Sequence, residues 1–212
     1  MEPLADGEDY LCLHCLWQMP LLKFTSFTDN AIHATLASTT PVNKAAALFS
    51  YRSGSPYTNL IIEAKYNNRP RLARQLGVRL GTSYMPHGFF DDIDAIIPVP
   101  VNIWKKARRG YNQSERIATG IASVTSLKVV DRCLGAKWHS TQTRKSAMKR
   151  RENARGVFYV KLPQKWASLR HVLIVDDVIT TGSTILECIR VLREAIPSIK
   201  VSVMAVGLTR LS

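Results

Sequence analysis

Two adjacent carboxylates and a short run of hydroxyl residues carry the clearest chemical signal in this sequence. Asp176 and Asp177 follow an apolar run, and Gly182 stands just before a predicted helix that begins at Ser183. The free amides at a helix start and the positive end of its dipole bind anions, and glycine allows the backbone to approach such an anion closely. The hydroxyl donors around this glycine are Thr180, Thr181, Ser183 and Thr184. The stretch 180–184 is therefore predicted to bind a phosphate.

The pair of acids predicts a second group on the ligand that carries this phosphate. At the carboxyl end of a strand, where α/β sheets bind ligands, Asp176 and Asp177 can accept hydrogen bonds from vicinal hydroxyls or help to hold a hydrated Mg²⁺. A ligand with both sugar hydroxyls and a phosphomonoester would satisfy both features. In the alternative interpretation, Thr181 or Ser183 caps the helix and the acids are solvated. That alternative accounts for the hydroxyls but not for two acids at a strand end.

Positive charge is concentrated in one third of the chain. The 212 residues contain 29 Lys or Arg and 16 Asp or Glu, a net charge of +13. Residues 102–170 hold 17 of the basic residues and only Glu115, Asp131 and Glu152 as acids. A field of this kind attracts phosphates, whether on a small metabolite or along a nucleic acid. The alternative is a solvated basic face that aids solubility.

The elements that must position these residues follow from the apolar pattern. Strands are predicted at 93–97, 128–130, 171–175 and 201–206, with a further extended segment at 45–51. Helices are predicted at 57–65, 70–82, 112–123 and 183–195. The run 171–175 is almost entirely apolar, which is typical of a strand buried on both faces of a parallel sheet. Strands that alternate with helices predict an α/β domain with a mainly parallel twisted sheet.

Several motifs resemble those of a known family. The stretch Val172–Thr184 resembles the phosphoribosyl pyrophosphate (PRPP) signature of type I phosphoribosyltransferases. Further motifs appear in the order seen in the ComF family, which includes competence proteins linked to DNA uptake and predicted amidophosphoribosyltransferases. These motifs are Ile97–Pro100, Arg109–Gln113, and Gln142 followed by Arg151 and Asn153. The resemblance covers roughly residues 45–212 and implies a type I phosphoribosyltransferase-like fold, with a mainly parallel twisted sheet flanked by helices. Residues 1–44, which have little periodicity, are predicted to form a small irregular N-terminal segment.

The resemblance also implies a role for each motif. Asp176 and Asp177 would be the catalytic acids that face the ribose hydroxyls, and 180–184 would hold the 5′-phosphate. The pyrophosphate would lie at a turn formed by Pro98, Val99, Pro100, Lys105, Arg108 and Arg109. The flexible loop that closes over PRPP would contain Gln142, Arg144, Lys145, Arg151 and Asn153. The basic residues after the first sheet strand support this assignment, because they could neutralise a diphosphate.

Two of these motifs also have purely structural interpretations. In the segment 109–113, Tyr111 could pack beneath the sheet and Asn112 could cap the following helix. Lys65 and Tyr66 resemble the Lys-Tyr pair of the family at the end of its first helix. A lysine that interacts favourably with the helix dipole explains that pair adequately.

The N-terminal segment departs from the family pattern. Many relatives carry two Cys-x-x-Cys pairs that form a four-cysteine zinc site, whereas this segment has only Cys12 and Cys15. Two ligands are half of what a closed structural zinc site needs, although His14 and His33 could contribute. We therefore expect a degenerate finger packed on the core rather than a zinc site. Cys133 and Cys188 are predicted to be ordinary buried thiols.

Two functional hypotheses follow. The first is an enzyme, a Mg²⁺-dependent glycosyltransferase that moves the phosphoribosyl group of PRPP to an unidentified acceptor and releases pyrophosphate. The second is a non-catalytic or vestigially catalytic accessory protein in DNA uptake that grips single-stranded DNA and works with competence proteins. Its base-stacking candidates on the basic face are Trp104, Tyr111, Trp138 and Phe158. The acceptor pocket would lie within 45–90, and the sequence fixes neither the acceptor nor the oligomeric state.

Composition narrows the class of protein and its expected compartment. Apolar residues make up 46% and charged residues 21% of the sequence, a balance typical of globular proteins. No apolar run approaches the roughly 20 residues of a membrane helix, so no membrane span is expected. The acidic first ten residues lack the pattern of a secretory signal, and four scattered cysteines suit a reducing compartment. The expected location is the cytoplasm.

Overall fold

The computed structural model describes residues 18–52, 54–66, 69–101, 107, 110–137 and 156–209. Its strands are β1 (Ala45–Ser50), β2 (Ala95–Pro98), β3 (Lys128–Val129), β4 (Leu134–Ala136), β5 (Phe158–Val160), β6 (His171–Ile179) and β7 (Lys200–Leu208). Its α-helices are α1 (Ala31–Ala37), α2 (Pro56–Tyr66), α3 (Pro70–Tyr84), α4 (Gln113–Thr125) and α5 (Ser183–Ala195). Two short 3₁₀ helices span Met85–His87 and Pro163–Trp166. Every helix and strand predicted from the sequence lies within a few residues of an observed one.

A five-stranded parallel sheet organises the molecule. Its strand order is β1-β7-β6-β2-β3, and β4 and β5 form a separate antiparallel ribbon. From β2 the chain passes through α4 to β3, toward one edge of the sheet. From β6 it passes through α5 to β7, toward the other edge. The connections therefore diverge between the neighbouring strands β2 and β6. In sheets of this kind the crevice at such a point, at the carboxyl ends of the strands, is where ligands bind.

The sheet is buried on both faces, as the apolar run 171–175 predicts. Leu173 and Val175 of β6 belong to the core formed with helices α2, α3 and α4. Val172 and Ile174 point the other way, into the core formed with α1, α5 and the β4–β5 ribbon. This alternation follows from the period of two along a strand, and all four side chains are fully buried.

Strand β6 is longer than the sequence predicts. The prediction ends it at Val175, before the two carboxylates, but it continues to Ile179 because β7 pairs with it throughout, up to Ile179 opposite Leu208. Its other neighbour, β2, stops at Pro98. The carboxylates therefore lie on a part of β6 that has a strand on one side only, and the vacated side is open to other elements.

The described part of the N-terminal segment is irregular apart from one short helix, α1, which packs on the core. Asn30 caps α1, with its side-chain oxygen accepting hydrogen bonds from the backbone N–H groups of Ile32 and His33. Ile32 and Leu36 are fully buried in the same core as α5. This segment is rich in Ser, Thr and Asn, so its helix depends on one cap and two buried side chains, a signal too short to stand out in the sequence. Cys12 and Cys15 lie outside the described residues, and the zinc-finger interpretation stays a prediction.

Two glycines allow α3 and α4 to pack at very short distance. A Cβ atom on Gly77 would lie 2.1 Å from the carbonyl oxygen of Ile117, and one on Gly120 would lie 2.1 Å from that of Arg74. The two helix backbones are therefore in direct contact. Because α4 begins next to β6, this contact fixes the helix start that reaches the candidate site.

Within the ranges described, no helix is long and apolar enough to cross a membrane. The predicted buried thiols are confirmed: Cys133 and Cys188 are both fully buried, and burial raises the pKa of Cys133 to about 12.

Candidate functional site

The two carboxylates lie at the predicted crevice, and each has its own partner. Ser114, in the first turn of α4, donates its hydroxyl proton to Asp176 Oδ1 over 3.1 Å. The backbone N–H of Asp177 donates to the same oxygen over 2.8 Å. Lys65, near the end of α2, places its Nζ 3.1 Å from Asp177 Oδ2. Two helices thus converge on the end of β6: α4 reaches Asp176 and α2 reaches Asp177.

Burial and mutual repulsion determine the charge on Asp176. Burial is the largest effect and the negative charge of Asp177 the next, and together they raise the pKa of Asp176 to about 7. The N–H of Asp177, the charge of Lys65 and the hydroxyl of Ser114 oppose this rise. The site therefore holds one paired carboxylate and one that gains a proton near neutral pH, whose charge depends on its neighbours.

The predicted phosphate loop directly follows β6 and opens into α5. Gly182 is the N-cap residue of α5 with a φ of 73°, a conformation that glycine adopts without strain. A Cβ atom there would lie 2.6 Å from Leu36 Cδ2, so α1 packs directly against the loop. The Thr181 and Ser183 hydroxyls lie 2.7 Å apart, and Thr180 is exposed. The first-turn amides of α5 have no carbonyl one turn earlier to accept them within the helix, which is the property that makes a helix start an anion site.

The first residues of the predicted pyrophosphate turn pair with β6 just before the carboxylates. Val99 donates its N–H to the carbonyl of Val175 over 2.9 Å, and its own carbonyl accepts from Asn112 over 3.0 Å. Its side chain is buried, as is that of Pro98. Pro98 and Val99 thus lie beside Val175, the residue that precedes Asp176. The basic residues predicted for the same turn, Lys105, Arg108 and Arg109, lie outside the described residues.

The segment 110–114 braces three parts of the site. The Tyr111 hydroxyl donates to the carbonyl of Ala64 at the end of α2. Gln113 donates to the carbonyl of Lys65 over 3.3 Å. Asn112 caps α4, since its side-chain oxygen accepts from the Ser114 N–H over 3.1 Å. The structural interpretation of Tyr111 and Asn112 is therefore confirmed, and the same segment carries Ser114 to Asp176.

Sequence reasoning missed two side chains that contact the carboxylates, Ser114 and Lys65. Ser114 stands one residue beyond the motif Arg109–Gln113, and a serine after an N-cap asparagine has no distinctive pattern. Lys65 belongs to the Lys-Tyr pair that resembles the family's, but the helix dipole explains that pair without any contact with the carboxylates. The signal that could have identified it is its place at the end of a helix on the side of the sheet that α4 also covers.

Other predicted site residues lie outside the described part of the chain. They are the flexible-loop residues Gln142, Arg144, Lys145, Arg151 and Asn153 and the cysteines Cys12 and Cys15. For the ranges that the structure does describe, no group of three or more His, Cys, Asp or Glu side chains could hold a metal ion.

A family model covers the part of the chain that holds the site. The model is described as Uracil phosphoribosyltransferase and matches residues 133–209, which include both carboxylates and the phosphate loop. Together with the mainly parallel sheet and its flanking helices, this match confirms the predicted fold class, a type I phosphoribosyltransferase-like α/β domain.

Two curated proteins illustrate the relatives of this chain. Competence protein F of Haemophilus influenzae is 35% identical over 102 residues, which cover 48% of this chain and 44% of that protein. The DNA utilization protein YhgH of Escherichia coli O157:H7 is 32% identical over 152 residues, which cover 65% of this chain and 61% of that protein. The chain spans less than two thirds of the length of these relatives. The matches confirm the resemblance to the ComF family as homology over these stretches.

One solved structure with a similar arrangement is the glutamine phosphoribosylpyrophosphate (PRPP) amidotransferase from B. subtilis, complexed with ADP and GMP. Its TM-score with this chain is 0.46 at 22% sequence identity, and the match covers 68% of this chain and 30% of that chain.

Proposed function

We propose that this protein binds PRPP and transfers its phosphoribosyl group to an acceptor, with release of pyrophosphate. The observation that carries the proposal is the juxtaposition of Asp176 and Asp177 with a phosphate loop that opens directly into α5. The ribose of PRPP has vicinal hydroxyls and a 5′-phosphate, so these two features match the two ends of one small group. The family model over 133–209 supports the same ligand class.

Each part of the site has a defined task in this reaction. The carboxylates accept hydrogen bonds from the ribose hydroxyls, and the start of α5 binds the 5′-phosphate, which together hold the sugar in place. The bond from the anomeric carbon to pyrophosphate then breaks as the bond to the acceptor forms, through an oxocarbenium-like transition state. A carboxylate next to the ribose stabilises this positive charge. Mg²⁺ that accompanies PRPP would neutralise the departing pyrophosphate.

The proposal extends to the surroundings of the reaction. We place the protein in the cytoplasm, because its few scattered cysteines suit a reducing compartment. The acceptor would enter on the side of α2 and α3, within residues 45–90, since Lys65 already reaches the carboxylates from there.

The test is ligand protection against thermal unfolding. The melting temperature of the purified protein is measured with PRPP, ribose 5-phosphate or pyrophosphate, with and without Mg²⁺. A ligand present at about 100 times its Kd stabilises the folded state by about 2.7 kcal/mol, which is a shift of several degrees. We expect PRPP to protect the wild-type protein and to lose most of this effect in the Asp176→Asn/Asp177→Asn variant.

Asp94→Asn is the matched control. Its carboxylate accepts from the N–H groups of Arg170 and His171, at the other end of β6 and therefore about 17 Å away at 3.3 Å per residue. This variant should have a lower melting temperature and an unchanged PRPP shift. Absence of any PRPP protection in the wild-type protein would overturn the proposal.

A second candidate function, binding of single-stranded DNA through a basic face, receives support from one observation. The side chains of Tyr159 and Lys161 lie across Gly135 on the β4–β5 ribbon, because a Cβ there would be 2.5 Å from Tyr159 Cζ and 2.7 Å from Lys161 Cε. Exposed basic residues of the same ribbon and the adjoining 3₁₀ helix are Arg132, Lys137 and Lys165. An exposed aromatic ring among cations is a means of stacking a base and holding its phosphates.

The structure changes which aromatic residues could serve this function. Tyr111 and Phe158 are buried, so neither can stack a base, and Trp104 and Trp138 lie outside the described residues. The test is fluorescence anisotropy with a labelled oligothymidylate at rising salt. We expect salt-dependent binding that weakens in Tyr159→Ala/Lys161→Ala and not in Met85→Ala, an exposed side chain elsewhere. Absent or salt-insensitive binding would rule this function out.

A further inference from the structure

Lys65 lies beside the carboxylate pair, where a positive charge offsets the repulsion between the two acids. Its Nζ is 3.1 Å from Asp177 Oδ2, and the exposed fractions of the two side chains are only 23% and 16%. This partial burial distinguishes the pair from an exposed surface ion pair, which contributes little because water and salt screen it. The ammonium group is part of the site.

The lysine is held in place by the bracing segment of α4. Tyr111 bonds the carbonyl of Ala64, and Gln113 bonds the carbonyl of Lys65 itself, so the last turn of α2 is fixed where the lysine side chain begins. Tyr111 and Gln113 are both buried. The backbone position of Lys65 is therefore determined by the same segment that brings Ser114 to Asp176.

A divalent cation does not fit the carboxylate pair as the structure arranges it. Mg²⁺ needs oxygen ligands that are free to approach to about 2.1 Å with octahedral geometry. Here Asp177 Oδ2 faces the ammonium of Lys65, and Asp176 Oδ1 faces the Ser114 hydroxyl and the Asp177 N–H. Hydrogen-bond donors thus already occupy one oxygen of each carboxylate, and a metal ion beside Asp177 would repel the ammonium.

We propose that Lys65 takes the place of a divalent cation at the carboxylate pair, so that the ribose 5-phosphate part of the ligand is bound without a metal. This inference rests on the proposed function. Mg²⁺ would then be needed only for the pyrophosphate of PRPP, whose own oxygens carry the charge to hold it. Lys65 offsets the repulsion between the two acids, and the other oxygen of each carboxylate would accept hydrogen bonds from the ribose hydroxyls.

The first experiment is a calorimetric titration with ribose 5-phosphate in EDTA and in millimolar Mg²⁺. The wild-type protein should bind it with the same Kd, within about twofold, in both solutions. In Lys65→Met the Kd in EDTA should rise by about tenfold, as expected for loss of a charged partner, and Mg²⁺ should restore part of the affinity. Lys65→Arg keeps the positive charge and should keep metal-independent binding.

A second experiment needs neither ligand nor activity. Direct Mn²⁺ binding is measured by electron paramagnetic resonance on the wild-type protein, Asp177→Asn, Lys65→Met and Lys65→Met/Asp177→Asn. We expect no Mn²⁺ site at the carboxylates of the wild-type protein, a new site in Lys65→Met, and its loss in the double variant. If Lys65→Met does not fold, the wild-type measurements decide.

The outcomes separate this inference from the proposed function. Ribose 5-phosphate binding by the wild-type protein that depends on Mg²⁺, or Mn²⁺ binding that Asp177→Asn abolishes in the wild-type background, would overturn the role of Lys65 and leave the proposed function intact. Failure of both PRPP and ribose 5-phosphate to bind in any solution would overturn the proposed function and, with it, the inference.

Discussion

At the scale of single residues, Ser114 is the side chain through which α4 controls the charge of the site. Its hydroxyl donates to Asp176 Oδ1 and opposes the rise in the pKa of that carboxyl. Removing a donor to a charged carboxylate destabilises the charged form. Ser114→Ala should therefore raise the pKa of Asp176 above its value of about 7, by roughly one unit if the bond to the charged group is worth about 1.5 kcal/mol.

This shift is measured as the pH dependence of ligand protection. The melting-temperature shift caused by ribose 5-phosphate is recorded from pH 5.5 to 9, since binding of the sugar hydroxyls needs the charged carboxylate. The midpoint should move to higher pH in Ser114→Ala. Ser123→Ala, which removes a hydroxyl bonded to the Gly120 carbonyl on the same helix, should leave the midpoint unchanged. An equal midpoint in both variants would contradict the role assigned to Ser114.

At the scale of elements, helix α1 supports the phosphate loop through one contact. Gly182 has a φ of 73°, and its missing Cβ leaves room for Leu36 Cδ2. Gly182→Ala should cost about 1 kcal/mol for the backbone conformation and more for the displaced leucine, with weaker binding of ribose 5-phosphate. Gly54→Ala is the matched control: its φ is 81° and nothing lies within 4 Å of the added Cβ, so only the conformational cost applies.

A double variant tests whether the contact itself is responsible. The free energy of unfolding is measured in urea for Gly182→Ala, Leu36→Ala and both together. Because Leu36→Ala removes the obstructing atom, the double variant should be more stable than the sum of the single effects predicts. Strict additivity would mean that α1 does not press on the loop.

The close packing of α3 and α4 is a second property of elements. An alanine at position 120 would bring its Cβ to 2.1 Å from the Arg74 carbonyl oxygen and 2.7 Å from the Val78 nitrogen, both backbone atoms that cannot rotate away. Gly120→Ala should therefore destabilise the protein by about 3 kcal/mol, although the same change inside an unobstructed helix stabilises by up to about 1 kcal/mol. Urea unfolding measures it, with the exposed Ser123→Ala as control. A stabilised Gly120→Ala variant would show that the two helices are farther apart.

At the scale of the whole molecule, the sequence predicts the fold well where apolar periodicity is strong. The buried run of β6 and the helix over 183–195 have clear patterns and lie where they are predicted. The sequence does not show that β1 joins the sheet beside β7, because that pairing joins distant parts of the chain. The end of β6 differs from the prediction for the same reason, since its pairing with β7 extends the strand to Ile179. Ser114 and Lys65 were missed because their roles arise only when three elements meet.

The pH dependence of stability is a property of the whole molecule, because two groups at opposite ends of β6 oppose each other. Burial is the main reason that the pKa of His171 lies below its ordinary 6.5, with the charges of Lys44 and Lys200 as the next contributions and Asp92 acting against them. The folded protein therefore binds fewer protons at this site than the unfolded chain, and stability falls as the pH drops below about 6.5. Asp176 acts in the other direction: its pKa is raised, so the folded protein binds more protons between pH 3.8 and about 7. Its contribution to stability rises as the pH falls through that interval.

Single variants should separate the two contributions. His171→Gln keeps a polar group beside Ser202, whose hydroxyl lies 2.8 Å from Nε2, and removes the titration. Its free energy of unfolding in urea should therefore increase more from pH 7.5 to pH 5 than that of the wild-type protein. Asp176→Asn removes the opposing group, so its free energy of unfolding should fall from pH 7.5 to pH 5. The loss should be about 1.4 kcal/mol for each unit by which folding lowers the pKa of His171. Two variants with the same slope as the wild-type protein would show that neither group titrates as its burial requires. Asp94 does not obscure the result above pH 4. The N–H groups of His171 and Arg170 lower the pKa of its carboxyl below 3.8, so the stability that this carboxylate contributes is lost only in stronger acid.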